Sequence, residues 1–159
     1  NANQVEVKRS VYNFSLPFSR EMNNVYGPFA GYTCCTANMH QGWPKFAASL
    51  LMKTQDEGIA VVAYSPCEAS FKSHGIPVKV EVKTEYPFKE SIKFTISTEA
   101  SVTFPLMLRI PKWATRATIV LDDQVFMPQA DTYYPIHRDW NGITEVELTL
   151  PMQVRTLKN

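Results

Sequence analysis

Near Gly58 the hydrophobic period of this chain changes, and that change restricts what it can fold into. Before it, Met39, Trp43, Phe46, Ala47, Leu50 and Leu51 recur at steps of three and four, the apolar stripe of a helix. After it, the step is two. Val78, Val80 and Val82 alternate with Lys79, Glu81 and Lys83; Ile92, Phe94 and Ile96 alternate with Lys93, Thr95 and Ser97. Phe104, Leu106, Leu108 and Ile110 also share a face, with Pro105 arguing for an edge strand or a bulge. Residues 59–64 are apolar on both faces, as in a central strand. Three further strands are predicted at 118–121, at 133–137 and over Val146, Leu148 and Leu150. Turn signals at Tyr86-Pro87, Asp122-Asp123, Asn141-Gly142 and Leu150-Pro151 separate them. Short strands at regular spacing predict a mainly β fold, an antiparallel β-sandwich of jelly-roll type.

The helix is expected over residues 36–53, with Thr36 as its N-cap. Pro44 removes one backbone hydrogen bond and should kink the helix or start a second one. Asp56-Glu57-Gly58 then ends it. His40 falls on the polar side. No second histidine stands four residues away, so it reads as an exposed or hydrogen-bonded helix residue rather than a ligand.

Charge narrows the function. Sixteen basic and 15 acidic residues leave a net charge of +1 over 159 residues, with no basic block. Nothing in this pattern points to nucleic acid or to an anionic membrane. The apolar run around Phe46 to Met52 is far short of a membrane span. The chain opens Asn1-Ala2-Asn3-Gln4, which reads as mid-chain sequence, so a fragment of a longer protein is expected.

The cysteines carry the candidate chemistry. Cys34 and Cys35 are adjacent, between a Gly/Pro-rich lead-in and the expected helix. A disulfide between them is disfavoured: consecutive Cα atoms lie about 3.8 Å apart, against roughly 4.4–6.8 Å for a relaxed bridge. Two readings stay open. Each thiol can be buried as a small hydrophobe. Alternatively, one or both are thiolates, favoured by a helix N-terminus or by a metal. Cys67 is remote, and no CxxC pair or spaced Cys/His cluster completes a four-ligand zinc site.

The run Cys34-Cys35-Thr36-Ala37-Asn38-Met39, followed by Trp43-Pro44-Lys45-Phe46, resembles a bacterial glycoside hydrolase family, the β-L-arabinofuranosidases. Further segments match in the family's order. They are Tyr64-Ser65-Pro66-Cys67-Glu68-Ala69, Thr84-Glu85-Tyr86-Pro87 and Leu108-Arg109-Ile110-Pro111-Lys112-Trp113-Ala114. Arg138-Asp139-Trp140 and Leu148-Thr149-Leu150-Pro151-Met152-Gln153-Val154-Arg155 complete the set. The resemblance implies that residues 1–55 end an (α/α)6-barrel catalytic domain and that residues 56–159 form the β-sandwich. It implies a retaining glycosidase acting on L-arabinofuranosides or related plant glycans. Cys34 would be its nucleophile, and Cys34 and Cys35 ligands of a zinc ion. The remaining zinc ligands and the acid/base Glu lie upstream in the family and have no counterpart here. Localisation stays open between bacterial cytoplasm and periplasm. Cys67 stands in a β-domain motif and reads as a buried small residue, and Glu68 as a structural carboxylate.

The partners so implied are a carbohydrate substrate and the upstream barrel domain, with the isolated piece inactive. The competing reading is a non-catalytic β-sandwich module that is structural or binds sugar. Trp113, Tyr133, Tyr134 and Trp140 are its candidate contacts by type, set against their filling the core. The architectural expectation is one helix, near 36–53, and predominantly antiparallel strand over 58–157. Two or more long helices after residue 60 would overturn it.

Overall fold

The computed structural model describes residues 11–12, 22–23 and 39–154. The chain divides into two compact units, 1–48 and 49–159. The first contains a short antiparallel pair, β1 (Val11–Tyr12) with β2 (Met22–Asn23). Its described residues also include a 3-10 turn, Met39–Gln41, and an α-helix, α1 (Gly42–Ala48).

The helix is shorter than its apolar spacing predicts. It begins at Gly42, which puts Pro44 in the first turn. There the missing N–H is one of those that lack an intrahelical acceptor anyway. Trp43 and Phe46 are 67% and 47% exposed, and no residue of α1 is buried. Leu50 and Leu51 fit the helical stripe by spacing but belong to the second unit, where Leu51 opens a strand. The expected N-cap, Thr36, lies outside the described residues.

The second unit is built on strands. β3 (Leu51–Lys53) and β4 (Ile59–Val61) form a hairpin, and Asp56-Glu57-Gly58 is its turn rather than a helix stop. β5 (Cys67–Ser73) and β6 (Ile76–Thr84) form a second hairpin. Two long strands follow, β7 (Ser91–Ile110) and β10 (Thr132–Thr149), with the β8 (Thr118–Leu121) and β9 (Gln124–Phe126) hairpin between them. All pairings are antiparallel except β4 with β7, which run parallel. The sheet is therefore mixed and continuous.

That sheet folds over on itself. The first half of β7 pairs with β6 and with the second half of β10; the second half of β7 pairs with β4 and the first half of β10. Between the halves the register slips: Gly142 faces Thr98, but Trp140 faces Val102. Residues 99–101 of β7 thus oppose the single residue Asn141. They are exposed and mark the corner. Because the offset is two residues, side-chain parity survives it. Ile92, Phe94, Ile96, Val102, Phe104, Leu106, Leu108 and Ile110, all even-numbered, stay buried along β7. On β10 so do Ile136, Trp140, Val146 and Leu148. Asn141-Gly142, read from sequence as a turn between strands, is instead the bend of one strand, with Gly142 supplying φ +68°.

The folded layers meet through aromatic rings. Phe71 on β5 packs edge-on to Phe104 at 5.6 Å, and Phe104 stacks on Trp140 at 5.3 Å. Trp140 is fully buried, and its Nε1–H donates to Phe104 O at 2.8 Å. An indole at the centre of a core thus keeps its donor satisfied.

The prolines follow the ladder. In β7–β10, Pro105 faces His137 and Pro135 faces Met107. Antiparallel pairs two residues apart are of one type, so both prolines occupy pairs that exchange no hydrogen bonds. Pro105 is accordingly not at an edge: β7 is flanked on both sides, and the proline nitrogen points to the β4 side. There it meets Gly58, where a Cβ would lie 2.4 Å from Pro105 O and 2.6 Å from its Cγ. The expected outcome for Gly58→Ala is a loss of about 1–3 kcal/mol, read from denaturant unfolding. Unchanged stability would show that the Gly58–Pro105 contact can relax.

Candidate functional site

The residues singled out by sequence do not form one constellation. Cys34 and Cys35 lie outside the described residues. His40 is exposed in the 3-10 turn. Cys67 opens β5 with a free, half-buried thiol, and burial pushes its pKa up, away from thiolate. Glu68 beside it is exposed and pairs with Lys79 at 2.9 Å across the β5–β6 hairpin, a structural contact. Among the described residues no three His, Cys, Asp or Glu side chains group to hold a metal.

The motif segments do converge. Tyr64 is buried behind β7, and its hydroxyl donates to Arg109 O. That carbonyl points away from β10, because Arg109 faces Tyr133 in a pair of the same type as the proline pairs. Tyr64 packs edge-on to Tyr86 at 6.0 Å and to Phe94 at 6.3 Å. Tyr86 in turn lines an open cleft of about 470 Å³ with Trp113, Thr115, Arg116, Pro151, Met152 and Gln153. Four separated motifs, around Tyr64, Tyr86, Trp113 and Pro151, therefore gather at one place.

Each wall of this cleft is held by hydrogen bonds. The β6–β7 loop is tied by Thr84, whose Oγ1 accepts from Tyr86 N at 2.9 Å and donates to Ser91 O at 2.8 Å. The 111–117 loop turns on Ala114 N to Pro111 O and Ala117 N to Ala114 O. The 151–153 segment is fastened by Glu90, whose backbone carbonyl takes Leu150 N and whose carboxylate takes Met152 N at 2.6 Å.

A second groove, of about 420 Å³, lies between β10 and the β8–β9 hairpin, lined by Phe126, Tyr134, His137 and Arg138 among others. Its strongest polar groups are already paired. Arg138 binds Asp122 at 2.7 Å and lies 5.3 Å over the Trp140 ring, and Asp139 accepts from Thr103. The four aromatic candidates thus have different fates. Trp140 is core, Tyr134 packs half-buried beside Phe126, Tyr133 is exposed on the outer face, and Trp113 lines the first cleft. Arg116 and Gln153 were not legible as cleft residues; the available signal was that Arg116 follows one motif by two residues and Gln153 lies inside another.

A folded mixed sheet with, among the described residues, one short α-helix is the form of a β-rich domain, and the motifs it carries match a domain of glycoside hydrolases. Residues 58–152 match the β-L-arabinofuranosidase GH127 middle domain, and the chain belongs to that family. Solved structures agree. A GH127 β-L-arabinofuranosidase from Geobacillus stearothermophilus T6 superimposes with a TM-score of 0.75 at 26% identity, covering 84% of this chain and 21% of that one. A structure described as a glycoside hydrolase gives 0.76 at 22% identity, covering 91% of this chain and 24% of that one. A GH127 β-arabinofuranosidase gives 0.70 at 20% identity, covering 82% and 23%. The chain therefore spans less than a quarter of the length of these structures. No match is found among curated proteins.

Tyr64 yields a test of the motif core. Burial raises its pKa above the ordinary value near 10. Its proton is held more tightly folded than unfolded, so its contribution to stability is full below about pH 10 and is lost as pH rises beyond. Tyr64→Phe should cost about 1–2 kcal/mol at neutral pH by leaving Arg109 O unpaired, and should make the fall in stability above pH 10 shallower. An unchanged alkaline limb in unfolding curves would contradict this.

Proposed function

We propose that this chain is part of a retaining glycoside hydrolase that cleaves L-arabinofuranosides or related plant glycans through Cys34. The supporting observation is the family match over residues 58–152, preceded in the same sequence by the Cys34-Cys35-Thr36-Ala37-Asn38 run. In this reading the Cys34 thiolate attacks the anomeric carbon and forms a thioglycosyl intermediate as the glycosidic C–O bond breaks and the leaving oxygen takes a proton from a carboxylic acid. Water then releases the sugar with the help of a carboxylate acid/base, as in two-step retaining hydrolysis. That carboxylate is assigned to the part of the protein outside these 159 residues.

The donor chemistry of Cys34 and Cys35 fits zinc, because adjacent thiols supply two soft ligands. Following the family resemblance, the ligands that complete the set are again assigned outside this chain. Zinc, when bound, would keep the thiols ionised at neutral pH. Residues 1–55 are proposed as the end of the (α/α)6-barrel and 56–159 as the β-sandwich.

The experiment separates the two thiols in the longer parent protein. Cys34→Ser is expected to abolish hydrolysis of a chromogenic β-L-arabinofuranoside even where zinc is bound, because the attacking atom is gone. Cys35→Ser is expected to lose zinc and activity together, because one ligand of the set is gone. Full activity in Cys34→Ser would end the nucleophile assignment. A parent that binds no zinc and hydrolyses no glycoside would favour a non-catalytic module.

A further inference from the structure

We infer that the cleft walled by Tyr86, Trp113 and Arg116 binds a neutral saccharide unit. Three observations carry this. First, the cleft is concave and its walls are fixed in advance by Thr84, Ala114 and Glu90, so little ordering is required of it on binding.

Second, its polar groups are unspent. Among the described residues, no hydrogen bond or ion pair engages the Trp113 indole N–H, the Tyr86 hydroxyl, the Arg116 guanidinium or the Gln153 amide. The second groove differs here, since its arginine and aspartates are bound to one another or to a threonine. Third, the unspent donors surround two half-buried aromatic rings. Trp and Tyr each combine an apolar face with a polar tip. A sugar ring has the matching form: an apolar C–H face for the rings, and hydroxyls at its rim for guanidinium, amide and indole donors. Among the described residues no carboxylate lines the cleft, so they offer a cationic ligand no counter-charge there. The cleft also divides its lining between polar and apolar groups, which suits a sugar better than an apolar peptide.

The choice of arabinofuranose-containing glycans as probe rests on the functional reading above; the geometry of the cleft does not. The test uses the 159-residue chain, titrated with a linear arabino-oligosaccharide and, separately, a cello-oligosaccharide, and followed by amide and indole NMR. Saturable millimolar binding of either is expected, with the Trp113 indole N–H and the backbone amides of 113–116 and 152–153 shifting. Arg116→Ala and Gln153→Ala are each expected to weaken binding about fivefold or more, one lost hydrogen bond apiece. Trp113→Ala should abolish it. Trp113 packs on the core and its loss can unfold the domain, so the two variants at exposed positions decide if it does. Binding of neither glycan, shifts confined to another surface, or full affinity in both Arg116→Ala and Gln153→Ala would overturn the inference. Hydrolysis by the parent reads Cys34 instead, so failure of either reading leaves the other measurable.

Discussion

The pairing of β7 with β10 is the constraint on which the domain depends. Both strands are long enough to serve two layers, and they pass between layers without breaking their ladder for more than a corner. The register offset at Thr98/Val102 makes this possible. An offset of one residue would have turned every core side chain beyond it toward water. An offset of two bends the sheet and preserves the inward face. The remaining strands attach to what this pair provides. β6 and β4 take opposite halves of β7, and β8 closes on the end of β10. The ring sequence Phe71, Phe104, Trp140 then fills the space that the bend encloses.

Much of this was legible from residues alone, for a simple reason. In a two-layered sheet, burial and strand pleat share the same period, so Val78, Val80 and Val82 or Ile92, Phe94 and Ile96 declare both at once. The misreadings have equally definite causes. Leu50 and Leu51 satisfy helical spacing, but a short apolar run does not distinguish helix from strand, and pairing with β4 decided it. Asn141-Gly142 is a strong hairpin dipeptide, yet the positive φ it supplies serves equally well at a bend within one strand. Pro105 suggested an edge or a bulge because proline cannot donate. Its nitrogen is directed at Gly58, where no ladder bond was needed.

The candidate cleft was less legible than the fold. Its walls come from loops near residues 86, 113 and 152, which no periodicity connects. Only the family motifs marked them, one segment at a time, and the motifs do not say that they meet. Tyr64 explains why they do. By bonding to Arg109 O and packing on Tyr86, one buried phenol links three of the segments. The pair Cys34-Cys35 stands at the opposite extreme. Its adjacency is plain in the sequence and leaves both a buried and a thiolate role open, while its structural setting lies outside the described residues.

Pro135 has a consequence for the life of the protein before it is fully assembled. Among the described residues, no strand pairs with the outer side of β10 over 132–140. A bare strand of that length invites a neighbouring molecule to continue the ladder. The proline nitrogen faces outward at the middle of this margin, so an incoming strand finds a missing donor and the ring in its way. The same residue that the inner ladder tolerates at no cost makes the outer face a poor seed for intermolecular β-structure. In a chain so rich in alternating apolar segments, that protection acts during synthesis and refolding, when apolar surface and strand edges are transiently exposed.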